Sequence, residues 1–131
     1  MLRSPLAGLT GRSMMLLVVT GRRTGRRYAV PVQYVRRGQE LWVLVGHPER
    51  KSWWRNVTEE RPVELWLAGK RHTGRALALS TVDEPTVAVP AARAYHAHFT
   101  GVARRAVVRP EPEVLVRIVL PDGDTGVRGA P

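Results

Sequence analysis

Between positions 21 and 27 the chain reads Gly21-Arg22-Arg23-Thr24-Gly25-Arg26-Arg27. Two glycines in such a turn let the backbone approach a ligand closely and take positive φ. Successive N–H groups can form an anion nest, the four arginines add charge, and Thr24 adds a hydroxyl donor. A phosphate would be well held by this chemistry. The plainer alternative is a solvated hairpin turn whose arginines aid solubility. The GxxxxGK[ST] spacing of a Walker loop is absent. A second segment, Ser52-Trp53-Trp54-Arg55-Asn56, sets two indoles side by side. On a helix, consecutive side chains point about 100° apart. One tryptophan can therefore pack with Val57 while the other faces a surface or pocket, either as a wall over a planar ligand or as a second layer of core.

Other chemistries find little support. His47, His72, His96 and His98 lack metal-ligand spacing, and HExxH and GxSxG are absent, so no metal is expected. The acidic residues are scattered, which argues against a paired-carboxylate hydrolase. There is no cysteine, which excludes a disulfide framework, a thiolate metal site and a cysteine nucleophile. What remains is a protein that binds something anionic and flat and has little catalytic equipment of its own. That is the pattern of an enzyme whose cofactor carries the chemistry.

Charge agrees with this. Lys plus Arg is 21 against 11 acidic residues, a net +10, and all but two of the cations are arginine. Arginine's planar fork suits phosphate and carboxylate. No acidic residue precedes Glu40, while Arg22, Arg23, Arg26, Arg27, Arg36 and Arg37 crowd one stretch. A nucleic-acid-binding module is compatible with the charge, but aromatic residues are only 6% and no RNP-like pattern or helix-turn-helix is present. No nucleic-acid partner is therefore expected. The longest apolar run, Met14 to Val19, is far short of the roughly 20 residues of an integral membrane span. No secretory signal is evident, so a cytoplasmic protein is expected.

The elements that must position these residues are mostly strands. A chain of 131 residues predicts one domain over 1–131, with a lead-in helix or arm over 1–12 and a flexible tail over 121–131. Residues 14–20 suit a buried strand. Residues 27–36 alternate as a second, with Pro31 implying an edge, a bulge or a ligand-facing interruption. Glu40 to Val45 forms a third strand, apolar on both faces. Residues 47–59 look helical, with Pro48 at the first helical position. Residues 63–68 and 71–80 form a hairpin about a Gly69-Lys70 turn. Pro90 to Phe99 is a second helix, with Ala91, Ala94, Tyr95 and His98 at helical spacing and Gly101 closing it. Arg109 to Pro112 is extended, and Val114 to Leu120 is a last strand. About six strands in sequential hairpins, with connections too short for βαβ units, predict a mainly β fold: an antiparallel sheet closed into a small barrel, with short helices filling gaps.

Val19-Thr20-Gly21-Arg22-Arg23-Thr24-Gly25, followed by Pro31-Val32, resembles the T-G-R-[KR]-[ST]-G…P signature of the deazaflavin (F420)-dependent nitroreductase family. Trp53-Trp54-Arg55-Asn56-Val57 is similar to that family's W-[YW]-x-N-[LV] helix. The resemblance spans about residues 2–80. It implies a split β-barrel of the FMN-binding, pyridoxamine phosphate oxidase-like kind. It also implies an F420-dependent oxidoreductase that passes a hydride from reduced deazaflavin to an electron-poor acceptor: a quinone, an enone or a nitroaromatic. By motif position Gly21, Arg22, Arg23, Thr24 and Gly25 would hold the phosphate and acidic tail of coenzyme F420. Pro31, Val32 and Gln33 would lie along the deazaflavin ring, and Trp53 and Trp54 would wall the substrate pocket. The family commonly has Arg where this chain has Tyr28, and Arg27 would substitute from one position earlier. The proton that completes reduction would come from solvent or from Tyr34 or Tyr95. The alternatives are an FMN-binding or other cofactor-binding split barrel and a non-catalytic cofactor carrier. A small-molecule acceptor is the expected partner, and the protein would be a monomer or a homodimer.

Overall fold

Apolar runs and alternating stretches build seven strands in the computed structural model, which describes residues 14–100 and 112–121. The expected lead-in helix over 1–12, the Gly101 helix stop, residues 109–111 and the tail beyond 121 lie outside the described residues. The strands are β1 (Met14–Thr20), β2 (Arg27–Gln33), β3 (Val35–Arg37), β4 (Glu40–Val45), β5 (Arg61–Leu67), β6 (Lys70–Ser80) and β7 (Val114–Val119). They form one sheet in the order β2-β1-β5-β6-β7-β4-β3, with every pairing antiparallel. The two outer strands, β2 and β3, are consecutive in the chain, with only Tyr34 between them. The sheet must therefore curl until its edges meet at Tyr34, which gives the predicted split β-barrel. The single strand expected over 27–36 is in fact shared between the two edges of the seam. Pro31 lies on this edge strand, as its missing N–H requires.

Inside the curl, Leu17, Leu41, Val43, Leu65, Val116 and Ile118 are almost fully buried. Helix α1 (Pro85–Thr100) covers part of the outer face, packing Ala88, Ala91 and Ala92 on Trp42, Leu79 and Leu115. This explains why β4 is buried on both faces, as its composition predicted. β1 differs from expectation. Leu16 is 40% exposed, because α1 does not extend over this part of the sheet and only the inward residues Met15, Leu17 and Val19 are covered.

Three local expectations are corrected. The helix begins at Pro85 rather than at Pro90. Pro90 sits on the exposed side, where its ring displaces no core residue and its missing N–H removes one helical bond. The buried stripe is accordingly Ala88, Ala91, Ala92 and Tyr95, while His98 is exposed. The 47–59 segment is not an α-helix. Residues His47 to Arg50 make one turn (Arg50 N to His47 O, 2.9 Å), led by His47 at φ 51°, and a 3-10 helix follows over Trp53–Val57. The Trp54 indole N–H donates to the carbonyl of Pro48 (3.0 Å) and folds the segment back on itself. The hairpin turn is Ala68-Gly69, one residue earlier than expected, with Leu67 opposite Lys70. Both turn residues have positive φ (50° and 81°), as a type I′ turn needs, and alanine is an uncommon choice there.

Candidate functional site

The basic turn joins β1 to β2 and is closed from within. Gly21 N–H donates to Arg26 O (2.8 Å), Gly25 N–H to Gly21 O (2.9 Å), and Arg26 N–H to Thr24 Oγ1 (3.1 Å). Gly25 has φ 75°, where an L side chain is strained. A Cβ at Gly21 would sit 3.3 Å from Thr24 Oγ1, so the tightness of the turn also calls for glycine there. A fourth amide, Arg22 N–H, donates to Asn56 Oδ1 (2.9 Å). Four of the turn's N–H groups are thus consumed within the protein. The expected backbone nest gives way to side chains as the groups that face a ligand.

Asn56 ties the turn to the 3-10 helix. It is 8% exposed, and its amide nitrogen donates to the Tyr28 hydroxyl (2.7 Å) and to Trp53 O (3.1 Å). A second tie runs from Arg22 Nη1 to Arg55 O (3.1 Å). The Arg55 guanidinium in turn lies 4.8 Å from the centre of the Trp54 ring. Between turn and helix lies a cleft of about 340 Å³ lined by Gly21, Arg22, Arg23, Thr24, Tyr28, Ser52, Arg55 and Asn56. None of the lining residues is acidic, and Arg22, Arg23 and Arg55 form no ion pair among the described residues. Three guanidiniums and three hydroxyls facing one cleft can hold an oxyanion.

Arg27 lies on the other face of β2 from Tyr28. Its guanidinium pairs with Glu64 on β5 (2.7 Å), which also meets Arg71 (3.3 Å) and accepts the Trp66 indole N–H (3.1 Å). Desolvation pushes the Glu64 carboxyl up, but hydrogen bonds from Arg71, Trp66 and Arg27 outweigh it and hold it below the ordinary value. A carboxyl held low in the folded protein stabilises above the unfolded value of 4.5, and that contribution is lost as pH falls through the folded value. Glu64→Gln is therefore expected to lower the urea midpoint at neutral pH, with the gap to wild type closing as the pH drops below 4.5. The effect is modest, because both guanidiniums are more than half exposed. A gap independent of pH would mean that packing, not charge, is lost.

The remaining expected site residues lie further away. Pro31, Val32 and Gln33 are at the far end of β2, and Pro31 is about 13 Å from Arg27 at the usual rise of a strand. Val32 is buried, while Pro31 and Gln33 are exposed. Tyr34 and Tyr95 meet this same end, where the Tyr95 hydroxyl donates to Gln33 O (3.3 Å). Burial pushes Tyr95 up to about 12, only partly offset by a backbone hydrogen bond at Leu44. Burial also raises Tyr34, against the pull of Arg36. Trp53 is 7% exposed and packs in the core with Val57. Trp54 borders a second cavity of about 380 Å³, floored by Ala78, Leu79 and Val114. The cleft residues that sequence reasoning left out of the site are Tyr28, Ser52, Arg55 and Asn56. The one available signal was the Arg55-Asn56 polar pair set between Trp54 and Val57.

A family profile described as F420H(2)-dependent quinone reductase matches residues 6–117. No curated protein matches the chain by sequence. Among solved structures, the chain is similar to the heme storage protein HutZ from Vibrio cholerae, with TM-score 0.59 and 18% identity over 86% of this chain and 84% of that one. It is similar to an F420-H2 dependent reductase, FDR-A, with TM-score 0.52 and 22% identity over 80% and 94%. It is also similar to an FAD and heme binding protein from Mycobacterium smegmatis, with TM-score 0.51 and 17% identity over 92% and 72%. These likenesses establish the fold. Among the described residues, no helix is long and apolar enough to cross a membrane.

Proposed function

Because the chain belongs to the F420H(2)-dependent quinone reductase family, and is thus an oxidoreductase whose cofactor is coenzyme F420, we propose that the cleft at the β1–β2 turn holds the phosphate and acidic tail of F420. The acceptor is an electron-poor small molecule: a quinone, an activated enone or a nitroaromatic. The observation that carries this reading is a cleft lined by Arg22, Arg23 and Arg55 with no carboxylate among its lining residues. Uncompensated guanidiniums around a concave site are what a polyanionic ligand needs.

When bound, the reduced deazaflavin supplies a hydride to the acceptor. The chain's part is to bind, orient and exclude water. Arg22, Arg23 and Arg55 neutralise the anion. Thr24 and Ser52 offer hydroxyl donors, and Gly21 and Gly25 set the tight turn that presents the arginines. The far end of β2, where Pro31 and Gln33 are exposed and Val32 points into the core, offers a backbone edge along which a planar ring can lie. The Trp54-lined cavity supports a place for the acceptor. Both Tyr34 and Tyr95 hold their protons more tightly than a free phenol, so solvent is the favoured proton source. Tyr34, the less buried of the two, ranks ahead of Tyr95.

Fluorescence titration of the purified protein with F420 is expected to give a Kd of about 10 µM or tighter. Oxidation of reduced F420 should then proceed on adding a quinone. Preferential binding of FMN would support a flavin-dependent split barrel instead. Tight F420 binding with no turnover on any of the three acceptor classes would mark a carrier.

A further inference from the structure

The hydroxyl of Tyr28 points to a feature of the cleft that the arginines do not supply. Asn56 has one acceptor and two donors on its amide, and all are engaged. Oδ1 takes Arg22 N–H, and Nδ2 gives one hydrogen to Trp53 O and the other to Tyr28. The Tyr28 oxygen is therefore an acceptor toward Asn56 at 2.7 Å, and its own hydrogen must point elsewhere. Tyr28 lines the cleft and is 37% exposed, so the direction left for that hydrogen is the cleft. We propose that Asn56 is a positioning residue that fixes Tyr28 as an uncharged hydrogen-bond donor to an anionic oxygen of the bound cofactor. This rests on the cleft being the F420 site.

The polarity is what makes the arrangement specific. A phenol free of Asn56 can turn its hydrogen or its lone pair toward a ligand. With Asn56 donating to it, Tyr28 keeps its hydrogen for the cleft, and so it favours phosphate or carboxylate oxygens over an N–H or O–H group. The same amide holds the backbone of Arg22, so one buried side chain ties together a neutral and a charged donor that both line the cleft.

Four proteins test this: wild type, Tyr28→Phe, Asn56→Asp and the double variant. Each is titrated with F420 across a series of NaCl concentrations, after near-UV circular dichroism confirms folding. Tyr28→Phe removes one hydrogen bond to a charged group and is expected to weaken binding about tenfold. Because no charge is lost, the slope of log Kd against log salt should equal that of wild type. Asn56→Asp is nearly isosteric but reverses the bond: the carboxylate introduced at position 56 accepts the tyrosine hydrogen and turns the phenol's lone pairs to the cleft. It should weaken binding more than Tyr28→Phe does, and should cost less when Tyr28 is already phenylalanine. That non-additivity is the readout that a merely structural asparagine would not give. Wild-type affinity in a folded Tyr28→Phe protein would overturn the proposal, as would strictly additive effects. Tyr28→Phe leaves the amide in place and remains decisive if Asn56→Asp does not fold. Failure of the wild-type protein to bind F420 would instead remove the reading of the cleft itself.

Discussion

Replacing Arg22 and Arg23 together by alanine is expected to raise the Kd for F420 by on the order of 10²-fold or more and to leave the fold intact. Both side chains line the cleft, and neither pairs with a carboxylate among the described residues. In the free protein the loss is small. Arg22 gives up one exposed hydrogen bond, from Nη1 to Arg55 O, while its backbone N–H keeps its bond to Asn56. Surface changes of this kind usually move stability by about 0.5 kcal/mol. In the complex, hydrogen bonds from ionised donors are worth roughly 1.5–3 kcal/mol each. Two of them give at least about 3 kcal/mol, which is a hundredfold in affinity. Titration at two ionic strengths, alongside urea denaturation, separates the two effects. An unchanged Kd in a folded double variant would show that the cofactor's anion docks elsewhere, and the cleft would lose its assignment.

How far such a site can be read from sequence depends on which interactions are local. The strands over 14–20 and 40–45 were legible as short continuous apolar runs, and the one over 114–120 because its apolar residues repeat with the sheet's own period. The basic turn was legible because glycine and arginine have few other uses at that density. The relation between β2 and β3 was not, since a continuous alternating run carries no mark of the point where the chain leaves one edge of a sheet and joins the other. The helix expected over 47–59 failed for a related reason. Its propensities are helical, but the Trp54 indole bonds back to Pro48, and Asn56 is claimed by a turn 34 residues away. The cleft exists because of that distant claim. Tyr28 and Asn56 look unremarkable until the barrel brings them together. Arg27, one residue away, faces Glu64 on the opposite side of the strand.

Gly74→Ala is expected to be among the most destabilising conservative changes in the chain, at about 2–4 kcal/mol, with Tm lower by roughly 10 °C. Gly74 is buried in the middle of β6, paired to Val63 on β5. A Cβ there would lie 2.9 Å from the carbonyl oxygen of Val119 and 2.9 Å from Ile118 Cγ2. The isoleucine methyl can shift, but the carbonyl belongs to β7, whose Val119 is in register with Arg75 on β6. Relieving the clash means parting β6 from β7, and those strands carry the face on which α1 packs through Leu79 and Leu115. The Gly38→Ala variant is the comparison. Its φ of 65° strains an alanine, yet nothing lies within 4 Å of the added carbon, so about 1–2 kcal/mol is expected from the backbone alone. Thermal denaturation of the two variants should therefore rank Gly74→Ala below Gly38→Ala. The reverse order would mean that the β6–β7 spacing relaxes freely. A strand glycine met in a sequence suggests a close backbone approach, and here the tight neighbour is β7, which pairs with both β6 and β4 and carries Leu115 under the helix.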